Sequence, residues 1–186
     1  MKIIEYLDDF KYATANLWPK QVEKDENFFI WFVAQAMAES SLNPHAVSRV
    51  GACGLMQIMP KTWHDIRLYL PYLNEDIFDP ASNIEGGIWY VRWCFDRFQF
   101  VRDFNDRFKI ALSSYNCGPS RIRRLLEPFD NPTYLALEPQ LPRETSFYIE
   151  RIVKFHDVLL NNIKLEIENE ISPEAGSRPS ERHSAQ

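Results

Sequence analysis

The 186 residues of the chain fall within the usual range of one domain and suffice to bury a core without a metal or disulfide staple. Apolar residues at 45% and aromatics at 14% exceed what a disordered chain carries, so the chain is expected to fold. A formal charge of -5 and a pI near 5.4 argue against a nucleic-acid partner, which needs a basic surface to displace counterions.

The opening, MKIIEYLDDFKY, carries acids where a signal peptide has a basic start and an apolar core. No later run is apolar and long enough to span a bilayer. The expectation is a soluble chain without stable membrane insertion, cytosolic until released or delivered to its place of action, or one whose leader has been removed. Strict alternation is scarce and 3.6-residue periodicity recurs, which predicts a mainly α fold with helices near 3–16, 27–40, 60–69, 81–99, 105–115, 119–127 and 143–168. Residues 1–26 read as an N-terminal helical extension, 27–170 as the domain proper and 171–186 as a polar, disordered tail. The second helix, NFFIWFVAQAMAES, is apolar almost all round, the pattern of a buried central helix, and Asn43-Pro44 stops it. The fourth starts after Asp79-Pro80 with Ser82 or Asn83 as its cap and turns Ile84, Ile88, Val91, Trp93 and Phe95 inward. The last starts after Pro142 and continues through Phe147, Tyr148, Ile152, Phe155 and Leu159.

Cys53, Cys94 and Cys117 cannot all pair within one chain, and no spacing among them suggests zinc. Free thiols are the default, with a Cys53–Cys117 bridge left open. No metal or cofactor is expected.

Glu39 is the only carboxylate between Asn27 and His64. It falls at the C-terminal end of the buried helix, where the helix dipole and burial both disfavour a negative charge. Both effects raise the pKa, as a general acid working near neutral pH requires. After Pro44 the chain runs through two glycines and small residues, His45-Ala-Val-Ser48-Arg-Val-Gly51-Ala-Cys-Gly54, then Leu55-Met56-Gln57-Ile58-Met59-Pro60. Such a segment lets backbone and short hydroxyls approach a ligand closely. Ser48 and Gln57 can hydrogen-bond a sugar, and Met59 can contact a pyranose face. Taken singly, Glu39 is more often a solvent-facing glutamate at a helix end, Ser48 a turn residue, Gln57 a surface amide and Met59 core filler.

Glu39-Ser40, Asn43-Pro44, Ala46, Ser48, Gly51, Gly54-Leu-Met-Gln-Ile-Met-Pro60 and Thr62 together resemble the catalytic core of the soluble lytic transglycosylases, lysozyme-like glycosidases that cleave peptidoglycan. Asp79-Pro80 with Asn83-Ile84 and Gly87, Ala111-Leu-Ser-Ser-Tyr115-Asn116-Cys-Gly118-Pro119, and Pro142-Arg-Glu144-Thr145-Ser-Phe-Tyr148-Ile-Glu-Arg151-Ile152 extend the resemblance over about residues 27–160. It implies a lysozyme-like helical domain with a deep cleft and at most a short β-like segment. It also implies that Glu39 is the single acid/base, that Ser48, Gln57 and Met59 meet the sugars, and that Tyr115 and Asn116 hold the acid and substrate. Glu144 and Tyr148 match a segment supporting the cleft. The departures are Ser114 before the Tyr-Asn pair and the cysteines at 53 and 117.

A glycosidase of the ordinary kind needs two carboxylates, and the segment after Asn43 supplies none before Asp65. The resemblance implies that the substrate serves instead: its N-acetyl oxygen assists departure and the muramoyl C6 hydroxyl closes on C1, leaving a 1,6-anhydro end. The expected activity is therefore lytic cleavage of the MurNAc-β-1,4-GlcNAc bond by a monomer acting on peptidoglycan strands. Phage-type cell lysis is the expected setting, with a holin or a secretion or virion apparatus as partner. Two alternatives are a hydrolytic goose-type muramidase using an acid such as Asp65, and a catalytically idle wall-binding module.

Overall fold

A computed structural model describes residues 3–171, with side chains described over 5–163. The expected tail of 171–186 lies, but for Ile171, outside the described residues. The helices are α1 (Ile3–Leu17), α2 (Pro19–Val22), α3 (Ile30–Ser40), α4 (Pro60–Tyr69), α5 (Pro80–Asp96), α6 (Phe104–Cys117), α7 (Pro119–Leu126), α8 (Tyr134–Leu137) and α9 (Arg143–Ile171), with a 3-10 turn at Glu138–Gln140. Among the described residues there is no strand, only the isolated antiparallel bridges Val47–Cys53 and Cys53–Ile58. The mainly α, lysozyme-like expectation agrees with this architecture.

The helix starts follow local chemistry. Asp79 caps α5 by accepting from the Ser82 amide at 3.0 Å, with Pro80 in the first turn, so neither Ser82 nor Asn83 is the cap. Asp103 caps α6 in the same way through the Asp106 amide. α3 begins three residues later than its apolar pattern suggests, because Phe28 and Ile30 donate to carbonyls only three positions back, a tighter turn than an α-helix. α5 closes early for the same reason, through bonds from Arg97 to Cys94 and from Phe98 to Phe95.

α3 packs along α9, α1 along α5, and α6 against α5, α7 and α9, which places α3 in the interior. Trp18 is wholly buried among Phe28, Phe32, Phe95, Phe104 and Phe108, with ring centroids 5.1–6.5 Å away. Offset and edge-on contacts of this kind add to area burial. Tyr6, Phe10 and Ala13 bring α1 into the same core. One residue expected inside is not: Trp93 is only partly buried, stacked on Tyr90 and carrying the Arg97 guanidinium 3.3 Å from its ring; on α9, Phe147 is 49% exposed.

The segment from Ser41 to Met59 has little regular structure, yet it is tightly held. Ser41 and Leu42 adopt left-handed conformations (φ 54° and 58°) that turn the chain off the end of α3 before Pro44. Asn83 of α5 then clamps the loop from below. Its Oδ1 accepts from the Met56 amide at 2.8 Å, while Nδ2 donates to the carbonyls of Ile77 at 2.7 Å and Cys53 at 3.3 Å. Gly54 (φ 79°) permits that approach, since a Cβ there would stand 2.4 Å from Asn83 Nδ2. Gly87 does the same one turn on, where a Cβ would meet the Met56 side chain at 2.7 Å.

Candidate active site

Glu39 stands in the last turn of α3, at the floor of a cavity of about 480 Å³. The loop contributes Ser48, Val50, Ala52, Gln57 and Met59 to its lining, α6 contributes Tyr115 and Asn116, and α9 contributes Glu144, Phe147, Tyr148 and Arg151. All eight residues singled out from the sequence therefore line one cavity, although they span 110 positions from Glu39 to Tyr148.

Burial pushes the Glu39 pKa up from 4.5 to about 7, against the Tyr148 hydroxyl and the Arg151 guanidinium, which both favour the charged form; the Glu144 charge adds to the rise. Desolvation is the dominant cause. Near neutral pH the carboxyl thus holds its proton about half the time, the poise of a general acid that must later act as a base.

The surrounding side chains are fixed by bonds that determine what each has left to offer a ligand. Tyr115 Oη donates to the Met56 carbonyl at 2.7 Å, so its proton is committed to the loop. Burial and the nearby Glu39 charge keep that phenol well above its ordinary pKa. Tyr148 Oη accepts from Gln35 Nε2 at 3.0 Å and faces Glu39; burial first, and the Glu39 charge second, hold the phenol in its neutral form. Ser48 Oγ accepts from the Ala52 amide at 2.9 Å, which leaves its hydroxyl proton for a ligand. Gln57, itself left-handed (φ 49°), donates Nε2 to the carbonyls of Gly54 at 2.9 Å and Ala46 at 3.1 Å, so its outward-facing capacity is the Oε1 acceptor. Asn116 Oδ1 accepts from Thr145 Oγ1 at 2.8 Å, which orients the amide donors. Met59, 42% exposed, caps α4 and presents its thioether at the rim.

Sequence reasoning missed Val50, Ala52, Phe147 and Arg151. Arg151 was legible in principle, being three positions after Tyr148 and so on the same helix face. Asp65, the acid held for a hydrolytic alternative, is exposed on α4 and does not line the cavity; the second carboxylate there is Glu144. Cys53, Cys94 and Cys117 are all free, so the Cys53–Cys117 bridge does not form. Cys53 Sγ instead donates to the Gly51 carbonyl at 3.3 Å, and burial pushes its thiol pKa up. Among the described residues no cluster of His, Cys, Asp and Glu is placed to hold a metal, and no helix is long and apolar enough to cross a membrane.

Residues 16–133 match the family model described as Transglycosylase SLT domain, a span that ends before α9. The soluble lytic murein transglycosylase of Escherichia coli is 32% identical over 130 residues, which cover 67% of this chain and 19% of that protein. The membrane-bound lytic murein transglycosylase F of Desulfosudis oleivorans is 28% identical over 160 residues, covering 73% of this chain and 34% of that one. Among solved structures, the 70-kDa soluble lytic transglycosylase from Escherichia coli superposes with a TM-score of 0.62 at 28% identity, over 81% of this chain and 23% of that chain. The complex of the 70-kDa soluble lytic transglycosylase with bulgecin A gives 0.67 at 26% identity, over 85% of this chain and 24% of that chain. The chain thus spans between a fifth and a third of the two sequence relatives it matches.

Proposed function

The chain belongs to the transglycosylase SLT domain family, and from that premise we propose that it is a peptidoglycan lytic transglycosylase, cleaving the MurNAc-β-1,4-GlcNAc bond and leaving 1,6-anhydro-MurNAc ends. The observation that carries the proposal is a half-buried carboxyl lining the cavity, with its pKa raised to about 7 by desolvation. Glu39 donates its proton to the glycosidic oxygen as the bond to C1 breaks. The substrate's N-acetyl oxygen supports the positive charge that develops at C1. Glu39, now a carboxylate, takes the proton of the C6 hydroxyl as that oxygen attacks C1. No water is consumed, and a tethered hydroxyl held near C1 has a large effective molarity over solvent.

The roles of the other residues follow from what each has unspent. Ser48 donates to an acetamido or hydroxyl oxygen, Gln57 accepts through Oε1, and Asn116 donates through its amide. Met59 and Phe147 supply apolar contact to the sugar faces. Tyr115 holds the loop, Tyr148 holds the carboxyl, and Glu144 with Arg151 sets the charge around it. Residues 27–170 form the catalytic unit in this reading, with 1–26 as a helical extension bracing α5. The place of action is the cell wall. Delivery through a holin or through a secretion or virion apparatus belongs to the same proposal and is tested by the identity of the neighbouring genes.

Glu144 beside Glu39 is the observation that favours a second reading, a hydrolytic muramidase in which Glu144 guides water. The experiment for the shared premise is the clearing of purified cell walls by the parent and by Glu39→Gln. The proposal expects at least a thousandfold loss, roughly the share of rate carried by an essential acid. Clearing at the parent rate would move the chain to an idle binding module or to another acid.

A further inference from the structure

Gln35 lies one turn before Glu39 on the same face of α3, in a helix otherwise apolar on its inner surfaces. It is fully buried, and its Nε2 donates to Tyr148 Oη at 3.0 Å. Its Oε1 is also buried and meets no donor among the described residues. An orphaned buried acceptor carries a penalty that a leucine of similar volume would not, so the amide is placed there against the interest of stability. The reaction scheme above gives it no task.

A phenol has one proton to give and accepts through its oxygen lone pairs. Because Gln35 approaches that oxygen with a donor, the hydroxyl proton cannot be directed at Gln35. We propose that Gln35 is a positioning residue: by donating Nε2–H to Tyr148 Oη it turns the Tyr148 proton toward Glu39 and keeps that hydroxyl a donor to the carboxyl. Were the amide reversed, Oε1 would take the proton and Glu39 would lose its partner. Tyr148 and Glu39 line the same cavity, so the proposed relay runs from Gln35 through the observed bond to Tyr148 and on to Glu39, where it stabilises the carboxylate that exists after the proton has been delivered. The inference rests on the reading of Glu39 as the acid.

Other groups also face Glu39. Tyr148, Arg151 and Glu144 do so from α9 and Tyr115 from α6, and the loop residues lining the cavity, Ser48, Val50, Ala52, Gln57 and Met59, carry no titratable group. Apart from Tyr148, through which the effect runs, none of these is a hydrogen-bond partner of Gln35, so a Gln35 effect that vanishes without the Tyr148 hydroxyl is separable from theirs.

The test is a carbon NMR titration of the Glu39 carboxyl in the intact parent chain, in Gln35→Met and in Gln35→Leu, with melting temperature recorded alongside. The expected result is an upward shift of the Glu39 midpoint, on the order of half a pH unit for one weakened hydrogen bond, at a melting temperature that holds or rises. The alkaline limb of kcat/KM on wall fragments should follow the midpoint. In a Tyr148→Phe background, Gln35→Met should shift the midpoint no further. An unchanged midpoint in either folded variant would make Gln35 structural and overturn the inference, as would a downward shift or a full shift that persists without the Tyr148 hydroxyl. The titration needs no turnover. A chain that cleaves no wall would therefore sink the proposed function while the Gln35 result still stood or fell by itself.

Discussion

The Tyr115 hydroxyl donates to the Met56 carbonyl at 2.7 Å, a bond that ties α6 to the cleft loop across 59 positions of sequence. The Met56 amide on the other side of the same residue is taken by Asn83 of α5 at 2.8 Å. Two helices thus hold one residue of an otherwise irregular segment, and Gln57, the next residue, lines the cavity in a left-handed conformation.

Tyr115→Phe keeps the ring against Tyr90, whose centroid is 5.3 Å away, and removes only the hydroxyl. The Met56 carbonyl then loses its donor, which costs about 1–2 kcal/mol, a fall in Tm of roughly 3–6 °C for a domain of this size. Calorimetry reads that change. Cleavage should fall further than stability explains, by roughly tenfold or more at a temperature where the variant is fully folded, because the loop carrying Gln57 shifts relative to Glu39. Parent-like stability and activity would mean that the bond does not organise the cleft.

Glu39 also imposes a pH dependence on stability. Its pKa rises from 4.5 to about 7 on folding, so between those values the native chain binds more protons at this site than the unfolded chain does. Stability from this group is fully present below pH 4.5 and is lost as pH rises through about 7. The whole effect is on the order of 3 kcal/mol. Glu39→Gln is nearly isosteric and does not titrate. The variant should therefore gain on the parent in Tm from pH 5 to about pH 7 and level off above that, at a roughly constant fold as read by circular dichroism. A parent-minus-variant difference that stays flat with pH would contradict a strained, buried Glu39.

Much of this site was legible before the fold was known, and the reasons are particular. Glu39 stood out because a long apolar segment isolates it, and the same isolation in space raises its pKa. Asn43-Pro44 marked the end of α3, although the chain leaves the helix earlier, through left-handed Ser41 and Leu42. The start of α3 was misplaced because i to i+3 turns at Asn27 to Phe29 carry the same apolar pattern as a helix. Helical periodicity identifies a face, but it cannot tell a face that meets the core from one that walls a cleft. The Gln35–Tyr148 bond joins residues 113 positions apart, and nothing local to either residue announces it. Asn83 looked like a helix cap and is a clamp, since its role depends on a loop that reaches it from 27 positions away.

The central claim is that the substrate's own C6 hydroxyl, rather than water, completes the reaction begun by Glu39. Mass spectrometry of the glycan fragments released from purified peptidoglycan reads this directly, because a hydrated muramoyl end is heavier than an anhydro end by one water. The account predicts 1,6-anhydro ends from the parent chain and none above background from Glu39→Gln. Exclusively hydrated ends from the parent would contradict it and assign Glu144 the task of guiding water.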